Sequence, residues 1–249
     1  MLSHLQSKLL KRSTRQGPAW GYNNWPDARH VEPSFLCSAD DLFPRPTPHL
    51  IDLLIRAAAQ AINEDLHLAQ SRCEHHEDRV FLNTWPGEHY KLLSALGKVL
   101  GAQHAVEIGT FRGLGTLALA SSVPHVTTYD VIPVSGIPSS YNLGPSGHDD
   151  PAINIEQRVG DLSDPKFFAS QRDVLRSADL VFVDGPKDGR FEPRFAELLY
   201  GLIQDQNTIV IWDDIRLLVM IDFWRKLPVA KLDATTFGHW SGTGLTESS

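Results

Sequence analysis

The sequence predicts an α/β protein, doubly wound about a mostly parallel seven-stranded sheet, with a C-terminal antiparallel hairpin and an N-terminal helical and irregular extension. Three observations predict it. Short apolar runs recur and close on an acid, at Glu107, Asp130, Asp161, Asp184 and the pair Asp213 and Asp214. The run ending at Glu107 opens into Gly109, Gly113 and Gly115 and then into the helical TLALA, Thr116 to Ala120. Stretches with apolar residues at helical spacing lie before and between these runs.

Residues 1–46 are irregular, with Trp20, Tyr22, Trp25 and Phe35 set among Pro18, Pro26, Pro33, Pro44 and Pro46. So aromatic a segment is expected to lie over the main domain, as a packing arm or part of a lid. Thr47 and Pro48 form an N-cap and first helical position. Leu50, Leu53, Leu54, Ala57, Ala61, Ile62 and Leu66 then make one apolar stripe. Residues 1–84 are therefore read as an arm and helix packing on a main domain, 85–249. That domain opens with a turn and an amphipathic helix within Trp85–Gly101, whose last glycine is a C-cap. Strands follow at His104–Ile108 and Val126–Asp130. Ile132–Ala152 is too rich in Pro, Gly and Ser for a regular element and reads as a substrate-facing loop. Strand Ile153–Asp161 precedes a helix starting at Asp164 and Pro165. Ala178–Gly185 and Asn207–Asp214 have the continuous apolar character of strands buried on both faces. Lys231–Gly238 and Thr243–Ser248 complete the sheet as a hairpin.

Composition bounds the function. With 249 residues, 42% hydrophobic and 21% charged, the chain suits one α/β domain with additions. A net charge of −7 without a Lys/Arg block argues against a nucleic-acid partner. The local basic cluster Lys8, Lys11, Arg12 and Arg15 reads as a solvated tail. The first residues lack the apolar core of a signal peptide, and no run of apolar residues is long enough to cross a membrane. Cys37 and Cys73 sit in no metal or nucleophile pattern and read as reduced structural thiols. A cytoplasmic, soluble protein without a membrane partner is expected.

Open α/β sheets bind ligands beyond the carboxyl ends of their strands, where these acids gather. So many carboxylates call for a cation, a ligand rich in hydroxyls and amines, or raised pKa values. A dinucleotide turn reads G-x-G-x-x-G, whereas this one reads E-x-G-x-x-x-G-x-G. Glu107 before the first glycine is poorly placed for a pyrophosphate. It suits the ammonium of an amino-acid moiety, such as that of S-adenosylmethionine. Asp130, about 20 residues further on, has the spacing of a carboxylate that meets ribose hydroxyls. Gly87 and Glu88 border the site; His89 reads as half-buried and structural. The neighbours His75 and His76 face apart and form no metal pair.

From Trp85 onward the chain resembles the class I S-adenosylmethionine-dependent methyltransferases, with their Rossmann-like sheet. It is most similar to the small-molecule O-methyltransferases of the catechol and caffeoyl-CoA type. The resemblance implies that Gly87, Glu107, Gly109, Thr110, Gly113, Asp130, Gly160 and Asp161 hold the methyl donor. It also matches DGPK, Asp184 to Lys187, and Asp213-Asp214 to the metal-dependent members' D-x-x-K and Asp-Asn, with Asp in place of Asn. This implies a divalent metal, Mg²⁺ or else Mn²⁺ or Ca²⁺, on Asp184, Asp213 and Asp214. Asp184 and Lys187 are then the catalytic pair, with Lys187 as a base whose pKa a dication and burial push down. Against this stands a charged Lys187 paired with Asp184 or Asp188. Competing with the metal are readings of Asp213 and Asp214 as a helix cap, or as hydrogen-bond partners of a polyhydroxylated substrate. The acceptor implied is the hydroxyl of a small molecule, a phenol or a sugar, and a homodimer is plausible for the family. Three alternatives remain: a metal-independent methyltransferase using Lys187, His89, His148 or His239 as base, a nicotinamide-dependent oxidoreductase, and a non-catalytic nucleotide-binding protein. The missing G-x-G-x-x-G weighs against the second, and the retained polar strand ends against the third. Arg112 reads as a solvated turn residue, and Trp240 as a packing or dimer contact.

Overall fold

A computed structural model of the chain describes residues 45–144 and 154–248. The expectations for the N-terminal arm before residue 45, for Cys37 and His148, and for the part of the Ile132–Ala152 loop after residue 144 lie outside the described residues.

Helix α1 (Pro48–Ala61) starts where Thr47 and Pro48 place it, the Thr47 side chain accepting from Leu50 N at 3.1 Å. The predicted stripe splits at its end. Ile62 is 63% exposed, whereas Leu66 is buried as the N-cap of α2 (His67–Arg72). Helices α3 (His76–Asn83) and α4 (Tyr90–Leu100) follow, and Gly101 closes α4 in the left-handed region at φ 63°. Then come β1 (His104–Ile108), α5 (Leu114–Ala120), β2 (His125–Asp130), β3 (Asn154–Val159), α6 (Pro165–Ser170), α7 (Arg172–Arg176) and β4 (Leu180–Val183). Asp164 caps α6 by accepting from Lys166 N and Phe167 N. The chain ends with α8 (Phe191–Ile203), β5 (Ile209–Asp213), α9 (Leu218–Lys226), β6 (Lys231–Asp233) and β7 (Thr243–Glu247).

Helix α8 has no counterpart in the sequence reading, because DGPKDGR before it and Pro193 and Gly201 within it mask its period. Pro193 is tolerated in the first turn, where its missing N–H has no partner to lose. Phe195, Leu199 and Leu202 supply its buried stripe. The reading of Asp213 and Asp214 as a helix cap is corrected, since α9 begins at Leu218 with Leu217 as N-cap. At its far end, buried Lys231 donates to the carbonyls of Trp224 and Arg225, closing the last turn of α9.

The seven strands run in the order β3-β2-β1-β4-β5-β7-β6. Strands β1 to β5 pair in parallel; β7 enters antiparallel between β5 and β6. The doubly wound mixed sheet with its terminal hairpin is as predicted, and its chain reverses direction of winding between β1 and β4.

Alternation along the strands sorts two apolar layers. Ala105, Leu180, Phe182, Ile209 and Ile211 face α1, α4 and α5, while Val106, Val181, Val183, Val210 and Trp212 face α6 to α9. The same alternation turns Glu107, next but one to Ala105, toward the α4–α5 layer. It does the same for Asp184 after Phe182 and for Asp213 after Ile211. No helix among the described residues is long and apolar enough to cross a membrane.

Candidate active site

The tip of β1 meets the tip of β4 at backbone distance. Gly109, at φ 97°, has no room for a side chain: a Cβ there would lie 2.0 Å from the Asp184 carbonyl oxygen. Asp184 N in turn donates to Ile108 O at 2.8 Å. Between β1, β2, β3 and β4 a cavity of about 640 Å³ opens, lined by Gly109, Asp130, Gly160, Asp161 and Asp184 among others. Five of the residues expected at the site thus meet in one place. Asp130 accepts Phe111 N at 2.9 Å and Ile132 N at 3.1 Å. A carboxylate has about four acceptor positions, so two stay free for a ligand hydroxyl pair.

The other predicted donor-holding residues do not line this cavity. Glu107 is the clearest correction. Its side chain is 1% exposed and lies beneath α5, accepting hydrogen bonds from Thr116 Oγ1 and, at 2.6 Å, from Thr128 Oγ1. The strand's own alternation turns it into the helix layer, away from a ligand ammonium. Burial raises its pKa to about 8, more than the two hydroxyls lower it. Thr110 is likewise spent inside, its hydroxyl 2.7 Å from Thr128 Oγ1. Gly113 takes φ 92° as the N-cap of α5, and a Cβ there would strike Leu143. Gly87, at φ 130°, is stitched to the turn before β7: its N–H donates to Gly238 O at 3.2 Å, and its carbonyl accepts Trp240 N at 3.0 Å.

Beside the cavity, oxygens of Asp184, Asp213 and Asp214 lie within 4.8 Å of one another. Lys187 points its ammonium among them. It pairs with Asp184, reaches Asp214 Oδ2 at 2.9 Å and stands 3.8 Å from Asp213 Oδ2. Burial would lower the Lys187 pKa, but Asp184, Asp213 and Asp214 outweigh it and hold it well above the ordinary lysine value. Among these carboxylates alone, the protonated form of Lys187 is the favoured one. Its partners are Asp184 and Asp214 rather than Asp188, and they favour its charged form; the base role expected for it belongs to a centre that holds a dication. Its backbone sits at φ 57° in the turn leading to α8. Glu192, fully buried, holds that turn by accepting Lys187 N at 2.8 Å and Gly189 N at 3.1 Å. Sequence reading missed Glu192 along with its helix.

Two imidazoles close the far side of Asp213. His89, at the N-terminus of α4, is 3% exposed, with Nδ1 3.3 Å from Asp213 Oδ1. His239 Nδ1 lies 3.4 Å from Asp213 Oδ1 and from Asp214 Oδ1, and its Nε2 lies 3.5 Å from Glu88 Oε2. Burial works against charge on His239, yet the carboxylates of Asp213, Asp214 and Glu88 raise its pKa to about 10. Burial would raise Asp213, but the imidazoles and Lys187 hold it far below an ordinary carboxylate. Asp184 moves the other way, raised by burial and by the charge on Asp213. His89 is thus fully rather than half buried, and faces the acids. Trp240, beside His239, is 72% exposed and packs into no core.

Arg112 is not simply solvated. Its guanidinium is 2.6 Å from Asp78 Oδ2 and 3.0 Å from Ser139 O, and Asp78 also accepts from the Tyr141 hydroxyl. The glycine turn, α3 and the loop after β2 are tied together through it.

No protein-family model matches the chain, and no curated protein matches it in sequence. Among solved structures it is similar to a candidate caffeoyl-CoA O-methyltransferase from Staphylococcus aureus, at 17% identity over 80% of this chain and 97% of that one, TM-score 0.46. A second is the O-methyltransferase TomG from Streptomyces achromogenes, solved with S-adenosylmethionine: 16% identity over 78% and 95%, TM-score 0.45. A third, the methyltransferase PaMTH1 from Podospora anserina with bound S-adenosylhomocysteine, gives 12% identity over 83% and 91%, TM-score 0.44.

Proposed function

We propose that this chain is an S-adenosylmethionine-dependent O-methyltransferase acting on the hydroxyl of a small molecule, a phenol or a sugar. The observation that carries the reading is the double position of Asp184. It lines the cavity between the strand tips and also belongs to the carboxylate centre beside it. A donor in the cavity and an acceptor at the centre would meet at this residue.

In that cavity Asp130 offers its free acceptor positions to the ribose hydroxyls, and Gly109 lets the ligand approach the backbone at the β1 tip. Bound there, S-adenosylmethionine supplies a methyl group on a sulfonium, the electrophile for in-line displacement by a hydroxyl oxygen. Asp213 and Asp214 accept hydrogen bonds from the acceptor's hydroxyls and orient them, and positioning of this kind supplies much of such a rate. Asp184, with its raised pKa, is the acid of the three best suited to take the acceptor's proton. Lys187 stays charged and offsets the carboxylates while Asp184 cycles.

The donor set of Asp184, Asp213 and Asp214 also fits a hard divalent cation, with three oxygens within mutual reach and a low-pKa Asp213 at their centre. Held there, Mg²⁺ or Mn²⁺ would lower the pKa of a bound hydroxyl and fix its direction. Lys187 would then yield the space its ammonium fills.

Calorimetric titration with S-adenosylhomocysteine tests the reading. Saturable binding that Asp130→Ala weakens is expected; no binding to the unaltered chain would sink the assignment.

A further inference from the structure

We propose that His89, Asp213 and His239 form a metal site of their own, which takes a borderline divalent transition cation of the zinc and cobalt class. The site goes beyond the methyl-transfer reading and does not rest on it. Asp213 has two sides. Its Oδ2 faces the Lys187 ammonium at 3.8 Å, and its Oδ1 faces the two imidazoles at 3.3 and 3.4 Å.

The imidazole side is left unfinished. Neither ring nitrogen of His89 makes a hydrogen bond, and neither does Asp213 Oδ1, although all three atoms are buried from solvent. His89 Nδ1 stands 3.3 Å from Asp213 Oδ1 without a hydrogen bond between them. A buried polar atom without a partner is costly, and native folds rarely leave several together. Here they converge, with the donor atoms of His89, Asp213 and His239 within 4.8 Å of one another. Donors sharing one cation at about 2.0–2.1 Å stand a little over 3 Å apart in tetrahedral geometry, close to the two separations seen here.

The surroundings prepare those donors. His89 is clasped by the rings of Tyr90 and Phe182, at 4.5 and 5.1 Å between centroids. His239 comes from a segment 150 positions later, locked to the residues before α4 by the two backbone hydrogen bonds of Gly87. Behind it Glu88 faces Nε2 at 3.5 Å, while Nδ1 faces Asp213 at 3.4 Å and lies 2.7 Å from Ser241 Oγ, a contact that a cation would replace. A carboxylate behind an imidazole is the arrangement that orients a ligating histidine. Two nitrogens and one carboxylate oxygen favour zinc, cobalt or nickel over magnesium, whereas the all-oxygen face across Asp213 favours the reverse.

Titration of the chelator-stripped full chain with CoCl₂, followed by visible absorption, tests this. One equivalent is expected to give a saturable ligand-field band that excess MgCl₂ does not remove. Losing even an outer partner of a metal site weakens binding by about 10–100-fold, so His239→Gln and His89→Asn should each weaken Co²⁺ binding at least about tenfold. His239→Gln, at the half-buried position, carries the test if His89→Asn does not fold. No saturable band, or equal affinity in the His239 variant, overturns the site and leaves an Asp213–imidazolium ion pair. S-adenosylhomocysteine binding by the same preparation separates this failure from failure of the methyltransferase reading.

Discussion

Glu107 holds a proton that an unfolded chain would release, and this makes stability depend on pH in a calculable way. Its pKa rises from 4.5 to about 8, with burial as the dominant cause. Between those values the folded chain binds more protons at this position than the unfolded chain does. Stability from this group is therefore fully present below about pH 4.5 and is lost as pH rises toward 8. Integrating the linkage from pH 5 to pH 8 gives a loss of about 3–4 kcal/mol, with no discount for solvent because the side chain is buried. Glu107→Gln keeps an oxygen to accept from Thr116 and Thr128 and carries no titrating proton. Measured by thermal unfolding at each pH, the Gln variant should gain on the parent by about that amount across the interval. For a domain of this size that is roughly 7–14 °C in relative Tm. Subtracting one curve from the other cancels the other titrating groups. Parallel curves would refute the reasoning, because they would mean that Glu107 is ionised in the folded chain and has a counter-charge.

Three further outcomes follow from the same geometry. Gly109→Ala should cost about 4 kcal/mol or more in denaturant unfolding, since the new Cβ meets the Asp184 carbonyl and φ is left-handed; a loss under 1 kcal/mol would show that the two strand tips can part. Arg112→Ala leaves the buried Asp78 carboxylate with Tyr141 alone and should cost about 2–3 kcal/mol, recovered in part by Asp78→Asn in the same background. Lys187→Ala removes the one ammonium among three carboxylates, so its Tm should fall in chelator and recover with Mg²⁺ or Mn²⁺; failure to recover would remove the carboxylate face as a cation site.

The fold was legible because its signals are local. A strand buried on both faces reads as an apolar run, and Thr47, Asp164 and Gly101 cap helices through atoms a few residues away. Helix α8 was lost for an equally local reason, with Pro193 and Gly201 inside it and a glycine-rich turn before it. The stripe of α1 ran on to Ile62 and Leu66 because apolar spacing continues past the point where the chain leaves the helix. The chain leaves the helix after Ala61 and brings Leu66 back inside as the N-cap of α2, which no periodicity reports.

The site divides along the same line. That acids collect at strand tips follows from the sheet, so the placing of Asp130, Asp161, Asp184, Asp213 and Asp214 there was legible. Which way each acid points follows from strand parity, and parity separates Glu107 from them: alternation with Ala105 directs it under α5, where two threonines wait. The parity is present in HAVEI, but the glycine turn after it is the stronger local signal and points to a ligand. His239 was harder still, because its place depends on β7 entering the sheet between β5 and β6. That insertion carries the GHWSG turn back over the end of β5 and against Gly87. A single sequence gives no local sign of this return, since the residues it joins lie some 150 positions apart. The charge on Lys187 belongs to the same class. Composition shows a lysine near acids, but only the turn held by Glu192 aims its ammonium between Asp184 and Asp214, where its charged form is favoured.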